Sequence, residues 1–262
     1  MTEPTPANAG EPCWIDLLSS DTDAATTFYG DVFGWTAESA GPEYGGYINF
    51  SSKDGTRIAG CMKKDPETMV GMPDAWSVYL ASDDAQATCD AAVAAGGGVM
   101  LPPMEVPEIG NMAYVTDPSG AAVGLFQTTG QVSFGYDGVG EGTPAWFELF
   151  TKDFAPTIAF YEQVFGWKTS SMGDTDEFRY STLGDGDDAK AGVMDASAFL
   201  PEGVPAHWSV YLRVADTDAT IASITEHGGS VVMPAEDTPY GRLATVADPT
   251  GAVFKVMGPS AG

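Results

Sequence analysis

The sequence predicts an α+β protein of two tandem domains, each of which is a pair of βαβββ modules. The stretch FYGDVFGW at Phe28–Trp35 returns as FYEQVFGW at Phe160–Trp167, a shift of 132 positions from 28 to 160. The pentapeptide WSVYL at Trp76–Leu80 is repeated letter for letter at Trp208–Leu212, at the same shift. Self-similarity over this distance indicates a duplicated domain, because solenoid repeats have periods of about 20 to 50 residues.

The register of the repeat predicts the domain boundaries. We expect the first domain at 9–129, a linker at 130–140 and the second domain at 141–258. The six tryptophans pair at one shift, and only the DPSGA motif at Asp117 and the DPTGA motif at Asp248 are 131 apart. The glycine-rich segment between the copies is typical of a linker.

The first module begins with a strand and a capped helix. The segment CWIDLLSS alternates between apolar and polar residues, which predicts a half-buried strand. Asp21 and Thr22 provide an N-cap region for a helix over DAATTFYGDVF, and Gly34 marks its end. Two short strands are expected in the following segments, YGGYINFSS and GTRIAGCM, which are separated by turn residues.

The second module repeats this order. We expect a strand at WSVYLAS, a helix in DDAQATCDAAVAAGG closed by its glycines, and a hairpin whose turn is Asp117–Gly120. In the second copy the corresponding helices lie in KDFAPTIAFYEQVFG and ADTDATIASITEHGG. The four predicted module starts are at Trp14, Trp76, Trp146 and Trp208.

The charge of the chain excludes some partners. Its 262 residues include 37 Asp and Glu against 11 Lys and Arg, which gives a formal net charge of −26. Such a surface repels phosphate backbones and anionic bilayers, so neither nucleic acid nor membrane is expected as a partner. Three cysteines without CxxC spacing indicate reduced thiols, and there is no apolar signal or spanning segment. These features predict a cytoplasmic protein.

The motif FYGDVFGW after a strand, the module order, and the endings DPSGAAVGLF and DPTGAVFKVM resemble the vicinal oxygen chelate superfamily. This superfamily holds glyoxalase I, bleomycin-resistance proteins and extradiol dioxygenases, and more narrowly the chain resembles the tandem glyoxalase-like proteins of actinobacteria. The resemblance covers about residues 10 to 258. It implies that each pair of modules forms a curved, cup-like mixed sheet with helices outside and a divalent metal inside.

The resemblance also implies where metal ligands would lie, and the side chains at these positions are unusual ligands. A first ligand is implied fourteen residues before the Phe of the FY motif, a second in the second module's first strand, and a third four residues after the Gly of the DPxG turn. In this chain these positions are Trp14 and Trp146, Ser77 and Ser209, and Gly124 and Lys255. We therefore expect no cofactor.

Strand alternation indicates what would line each cup instead of a metal. We expect ligand-binding side chains on the concave face at Trp14, Tyr79, Trp146, Phe150, Ser209, Tyr211, Arg213 and Lys255. Glu148 and Asp16 are the candidate catalytic carboxylates. The alternative is that the tryptophans fill the cups as core and the charged groups lie on the rim. An atypical metal site of Glu148 and His207 is the other alternative, and two ligands would make it weak.

These features leave three functional hypotheses open. The first is a protein that binds or sequesters a small aromatic or hydrophobic molecule in a metal-free cup, as resistance proteins of the family do. The second is a lyase, isomerase, hydroxylase or dioxygenase-like enzyme with an atypical metal or a carboxylate base. The third is an interaction protein whose cups are packed shut. Differences between the copies favour the second cup, and the chain is expected to be a monomer or a homodimer.

Overall fold

The structure is a computed structural model that describes residues 6–129, 136, 140–175 and 178–260. The predicted linker at 130–140 lies outside the described residues except for Tyr136 and Gly140. The strands of the first copy are β1 Pro12–Ser19, β2 Thr36–Ser39, β3 Ile48–Ser51, β4 Arg57–Lys63, β5 Ala75–Ala81, β6 Gly98–Val106, β7 Gly110–Thr116 and β8 Ala122–Thr128. Those of the second copy are β9 Pro144–Thr151, β10 Thr169–Asp174, β11 Arg179–Leu183, β12 Ala191–Asp195, β13 His207–Arg213, β14 Ser230–Thr238, β15 Gly241–Ala247 and β16 Val253–Gly258.

Each module contains one α-helix, as the sequence predicts. The helices are α1 Thr22–Phe33, α2 Ala85–Ala94, α3 Phe154–Phe165 and α4 Thr217–Glu226. The predicted cap of α1 is confirmed: the Asp21 carboxylate accepts a hydrogen bond from the backbone N–H of Ala24 at 3.0 Å. Gly34 ends the helix with φ 69°, a left-handed conformation that glycine adopts without steric cost. Both ends of α1 therefore lie where the local sequence predicts them.

Each copy forms one eight-stranded mixed sheet, so the predicted α+β class is confirmed. The order is β2-β3-β4-β1-β5-β8-β7-β6 in the first copy and β10-β11-β12-β9-β13-β16-β15-β14 in the second. The first strand of every module pairs in parallel with its last: β1 with β4, β5 with β8, β9 with β12, and β13 with β16. The predicted hairpin turn is confirmed, since the N–H of Gly120 donates to the carbonyl of Asp117 at 3.0 Å.

The compact units of the structure do not follow the sequence repeat. One unit, called unit A here, combines two parts of the first copy, the described residues up to Trp14 and those from Val78 on, with Trp146–Ser209 of the second. The other, unit B, combines Ile15–Ser77 of the first copy with two parts of the second, the described residues up to Ala145 and those from Val210 on. Helix α2 accordingly packs on α3, and α1 packs on α4. Each unit therefore takes one module from each copy.

In unit B the FY motif of the first copy meets the DPTGA motif of the second. The hydroxyl of Tyr29 donates to Asp248 Oδ2 at 3.1 Å and accepts from Trp76 Nε1 at 2.9 Å. Burial, and then the negative charge of Asp248, raises the pKa of Tyr29 well above its usual value. Tyr29 therefore remains a neutral hydrogen-bond donor inside the unit.

Unit A repeats this arrangement, but here the FY motif comes from the second copy and the DPSGA motif from the first. The hydroxyl of Tyr161 accepts from Trp208 Nε1 at 3.0 Å. Burial, and then the charge of Asp117 from the first copy's DPSGA motif, raises the pKa of Tyr161. The two carboxylates differ in one respect, because Asp117 Oδ2 is buried without a hydrogen-bond partner. Burial accordingly raises the pKa of Asp117, although its other oxygen accepts from Ser119 and Ala121.

The tryptophan that ends each FGW motif also contacts the other copy. In unit B, Trp35 Nε1 donates to the carbonyl of Gly142, which precedes the first strand of the second copy, at 2.9 Å. In unit A, Trp167 Nε1 donates to the carbonyl of Gly10, ahead of β1, at 2.8 Å. Each indole is buried, and its N–H is satisfied by the other copy. The repeated motif thus holds the two copies to each other.

The three cysteines Cys13, Cys61 and Cys89 are buried free thiols, as their spacing predicts. Burial, with a smaller contribution from nearby carboxylates, raises the pKa of Cys61 to about 12. Burial also raises the pKa of Cys89, so these two thiols remain protonated at neutral pH. Among the helices in the described ranges, none has the length and apolarity to cross a bilayer.

Candidate functional site

In the first copy, two predicted ligand-binding residues lie in a closed apolar cluster of unit A. Trp14 and Tyr79 are 4% and 1% exposed, and they pack with Cys13 and Phe126. Tyr79 lies opposite Gly124 on the paired strands β5 and β8, and its ring occupies the space that a side chain at Gly124 would need. At these two residues the structure favours the core interpretation over ligand contact.

Asp16, the candidate carboxylate of the first copy, lies in unit B and is bound by a tyrosine. Its Oδ1 accepts a short hydrogen bond from the hydroxyl of Tyr47. Gly60 is the partner of Asp16 on the neighbouring strand β4, and any Cβ there would collide with both groups. The glycine therefore makes room for the pair of polar groups, and a phenol proton already occupies one oxygen of the candidate base.

In the second copy, an aromatic platform surrounds β9 in unit A. Trp146 is partly exposed, and its Nε1 donates to the hydroxyl of Tyr180 at 3.0 Å. The ring of Tyr180 stacks on Phe178 at 5.9 Å between centroids and 14° between planes. We call Trp146, Tyr180 and Phe178 the Trp146 platform. Its tryptophan is oriented by a hydrogen bond and has exposed surface, whereas Trp14 is buried.

Glu148 follows Trp146 on the same face of β9 and is 6% exposed. Its partner across to β12 is Gly192, where the hydroxyl of Tyr180 fills the space of a missing side chain. Phe150 is the next residue on this face and is buried. The structure thus brings together Trp146, Glu148 and Phe150 in the order that strand alternation predicts.

His207 lies against the far end of this row. Its ring stacks on Phe150 at 5.5 Å and 25°, and Phe199 contacts Phe150 edge-on at 6.3 Å. His207 Nδ1 is 3.0 Å from the carbonyl of Pro205, so in the neutral ring this nitrogen carries the proton. The imidazole therefore packs in a cluster of rings with Phe150 and Phe199. Ser209, two residues on, is buried at 7% exposure.

Tyr211 and Lys255 form a direct pair in unit B. They are partners on the parallel strands β13 and β16, and Lys255 Nζ donates to the Tyr211 hydroxyl at 2.8 Å. The ammonium also lies 4.8 Å from the centroid of the Tyr211 ring. Arg213 is partly exposed and, by alternation, shares the face of Tyr211. Here a lysine occupies the place that Gly124 holds in the first copy.

The side chains at the implied metal positions do not fit a divalent cation. Indole and serine are poor ligands, Gly124 has no side chain to offer, and the ammonium of Lys255 repels a cation. Within the described ranges, no three His, Cys, Asp or Glu side chains are grouped so that they could hold a metal ion. The donor set of these strands therefore disagrees with the metal site that the resemblance implies.

Three tyrosines at these positions were missed by sequence reasoning, although each left a signal. Tyr47 and Tyr180 occupy equivalent places over Gly60 and Gly192, but they are 133 positions apart and therefore escape a search at 132. Tyr114 lies opposite Gly124 on β7, and its hydroxyl donates to that of Tyr79. A search for glycines opposite tyrosines across predicted strands would have identified Tyr114, whereas Gly60 and Gly192 lie opposite Asn49 and Thr182, two positions from the tyrosines.

Comparison with known proteins matches both copies to one superfamily. The pattern of the Glyoxalase/Bleomycin resistance protein/Dioxygenase superfamily matches residues 13–125 and 143–256. The chain is 39% identical over 254 residues to "Putative glyoxylase CFP32" of Mycobacterium tuberculosis, covering 96% of this chain and 95% of that protein. It is 36% identical over 263 residues to "Anthracycline biosynthesis protein DnrV" of Streptomyces peucetius, covering 95% and 93%.

Solved structures share the fold at low identity. The 2,3-dioxygenase LapB from Pseudomonas sp. KL28 matches with a TM-score of 0.63 and 13% identity, covering 98% of this chain and 94% of that one. The Mn(II)-bound glyoxalase from Novosphingobium aromaticivorans matches with a TM-score of 0.63 and 17% identity, covering 96% and 83%. At these identities the likeness establishes the architecture alone.

Proposed function

We propose that this chain, which belongs to the Glyoxalase/Bleomycin resistance protein/Dioxygenase superfamily, binds a planar aromatic molecule without a metal. The Trp146 platform is the proposed binding surface. The observation that carries this proposal is the contrast between equivalent residues: Trp14 is sealed at 4% exposure, whereas Trp146 is partly exposed and oriented by Tyr180. A partly exposed indole that is oriented by a hydrogen bond is suited to stacking on a flat ligand.

The chemistry around the platform supports an aromatic ligand with polar substituents. Trp146 and Phe178 offer exposed ring surface, and Glu148 offers a carboxylate on the same strand as Trp146. The name of the relative DnrV assigns that protein to anthracycline biosynthesis, which agrees with a polycyclic aromatic ligand for this chain. Sequestration of such a molecule is the form of the function that we propose.

Replacing Trp146 by leucine is expected to raise the Kd for a planar probe, 1,4-dihydroxyanthraquinone, by about fivefold. The reason is that aromatic stacking contributes about 1 kcal/mol beyond the apolar area that leucine retains. Isothermal titration calorimetry of wild type and variant measures the change. The matched control is Trp14→Leu, which should leave the Kd unchanged in protein that circular dichroism shows to be folded. Equal losses in both variants would contradict a site at Trp146.

Removal of metal is expected to leave probe binding unchanged. Protein dialysed against EDTA should bind the anthraquinone with the Kd of untreated protein, because the implied metal positions carry indole, serine and ammonium groups. Elemental mass spectrometry on the same samples measures the metal content. Stoichiometric metal in untreated protein, with binding lost on dialysis, would contradict metal-independent binding. It would also direct attention to Glu148 and His207.

An enzyme of the same superfamily is the second candidate. It is favoured by the position of Glu148, a carboxylate at 6% exposure between Trp146 and Phe150 on one strand face, where a general base could meet a stacked substrate. The two candidates differ in turnover. Mass spectrometry of the aromatic compound after incubation would show it unchanged for a binding protein and altered for an enzyme, with the alteration lost in Glu148→Gln.

A further inference from the structure

Asp117 is a buried carboxylate of unit A, at the turn between β7 and β8. The residue is 2% exposed, and its two side-chain oxygens differ. Oδ1 accepts from the backbone N–H groups of Ser119 and Ala121 at 2.8 and 3.0 Å, and from the Ser119 hydroxyl at 2.6 Å. Oδ2 has no hydrogen-bond partner among the described residues. A buried charge with one oxygen unmatched is costly to the folded chain.

The equivalent carboxylate of unit B does not have this defect. Asp248 Oδ1 accepts the same turn hydrogen bonds, and its Oδ2 accepts from the hydroxyl of Tyr29 at 3.1 Å. Tyr161 is the counterpart of Tyr29 in unit A. The charge of Asp117 raises the pKa of Tyr161, but within the described ranges no hydroxyl meets Asp117 Oδ2 in hydrogen-bond geometry. The same turn is therefore fully matched in one unit and incompletely matched in the other.

The elements that pack at the Asp117 turn supply no cation. Helices α2 and α3 and strands β7 and β8, all of them described, contain no lysine or arginine. The titratable side chains of these elements and of the part of β13 in unit A are Cys89, Asp90, Tyr114, Tyr161, Glu162 and His207. Asp90 and Glu162 are exposed carboxylates, and the net charge of the chain is −26. This environment disfavours a negative charge on Asp117.

We propose that Asp117 is a proton-binding site of the folded chain, through which mild acid stabilises unit A. The proton comes from the solvent, and a new O–H bond forms on Oδ2. The carboxylate loses its charge, while Oδ1 keeps the hydrogen bonds of the turn. The bound proton thus removes the cost of burying an incompletely matched charge.

The direction of the pH dependence follows from the shift at Asp117. Burial raises its pKa above the ordinary value of 3.8, although the hydrogen bonds of the turn act in the opposite direction. The folded chain therefore holds this proton more tightly than the unfolded chain does. The stabilisation is complete below about pH 3.8 and is lost as the pH rises through the folded pKa.

The proton is taken up where the two copies meet. Asp117 belongs to the first copy, and Tyr161, on which its charge acts, belongs to the second. In unit B the contact between Tyr29 and Asp248 is made by a hydrogen bond instead. The duplicated motif therefore provides one contact that a hydrogen bond holds and one that responds to acid.

The site is tested first by following the carboxyl group itself. Carbon-13 NMR of the full chain labelled at aspartate Cγ reports each ionisation, and the signal missing from Asp117→Asn is that of Asp117. We expect this signal in the wild type to titrate with a midpoint above pH 3.8. A midpoint at or below 3.8 would overturn the proposal, because it would show that Oδ2 is matched in solution, for example by a buried water.

Asparagine, the neutral isostere, provides the second test. At Asp117 the amide oxygen can keep the turn while the amide nitrogen takes the place of Oδ2, so at neutral pH we expect an unchanged or higher urea midpoint. Asp248→Asn is the matched control and should lower the midpoint, because one amide oxygen cannot serve both the turn and Tyr29. As the pH falls towards about 4, the wild type should gain stability relative to Asp117→Asn.

Two outcomes of the second test would contradict a proton site at Asp117. One is a loss in Asp117→Asn as large as that in Asp248→Asn, and the other is a difference between wild type and Asp117→Asn that does not change with pH. Neither measurement involves the Trp146 platform. Failure of the anthraquinone to bind would leave both results unaffected, so the two proposals fail separately.

Discussion

Replacing Asp248 by alanine is expected to lower the free energy of unfolding by about 3 to 5 kcal/mol. The substitution removes the acceptor of Tyr29 and leaves a buried phenol without its partner. It also removes the carboxylate oxygen that accepts from the backbone N–H groups of Thr250 and Ala252, so the DPTGA turn loses its internal hydrogen bonds. Urea denaturation at neutral pH, followed by tryptophan fluorescence, measures the loss.

Asp117→Ala is the matched variant in unit A, and we expect it to cost less. Its Oδ1 accepts the equivalent turn hydrogen bonds, but its Oδ2 has no hydrogen-bond partner to lose. Because the Asp117 carboxylate also acts on Tyr161, whose pKa it raises, the two variants should differ by no more than one hydrogen bond to a charged group, about 1.5 to 3 kcal/mol. Equal losses would show that the Tyr29 contact does not stabilise the fold.

Replacing Asp74 by alanine is expected to cost about 3 kcal/mol at neutral pH. The Asp74 carboxylate is 3% exposed; it accepts from Lys64 Nζ at 2.5 Å and from the Ser20 backbone N–H at 2.7 Å. Burial raises its pKa, but the hydrogen bonds from Lys64 and then Ser20 outweigh burial and lower the pKa to about 2. Removal leaves the Lys64 ammonium at 19% exposure without this partner, and breaking such a pair is strongly destabilising.

The cost at Asp74 should depend on pH in a defined direction. Because the folded pKa lies below the ordinary value of 3.8, the ionised group stabilises the fold above that pH. This contribution, about 2 kcal/mol from the difference in pKa, is lost as the pH falls through about 2. The difference between wild type and Asp74→Asn in thermal unfolding should therefore shrink between pH 5 and pH 2, on the order of this window.

Asp65→Ala is the control for Asp74. The Asp65 carboxylate is exposed and accepts hydrogen bonds from Glu67 and Thr68 of the same loop, so its loss should leave the free energy of unfolding nearly unchanged. A cost at Asp65 as large as that at Asp74 would contradict the assignment to a buried ion pair. The second copy has Ala206 at the position of Asp74, which confines the effect to the first copy's loop.

Most of the candidate site could be identified before the structure, because strand alternation is a local property. The row of Trp146, Glu148 and Phe150 follows from every second residue of β9. Whether each tryptophan is buried or exposed could not be read from the sequence, because this depends on residues far along the chain. Trp14 is closed off by Tyr79 and Phe126, whereas Trp146 is held by Tyr180.

The edge strands were the hardest elements to predict from the sequence, because they lack the alternation that buried strands show. Strand β2 is exposed along its whole length, and β6 contains Pro102 and Pro103, so neither shows the alternation that marks a half-buried strand. Edge strands have only one neighbour and bury little surface, and their sequences are accordingly less constrained. The central strands, which are buried, were located to within one or two residues of their observed starts.

The sequence by itself determined the duplication, the order of the elements, the helix caps and the DPxG turns, because each depends on neighbouring residues. Only the tertiary structure decided which copy supplies the partner of each motif. Tyr29 could meet the aspartate of either DPxG turn, since Asp117 and Asp248 are chemically equivalent. Long-range packing of α1 on α4 brings Tyr29 to Asp248, and the packing of α2 on α3 brings Tyr161 near Asp117. A repeat offers each motif two identical partners, and non-local packing selects one.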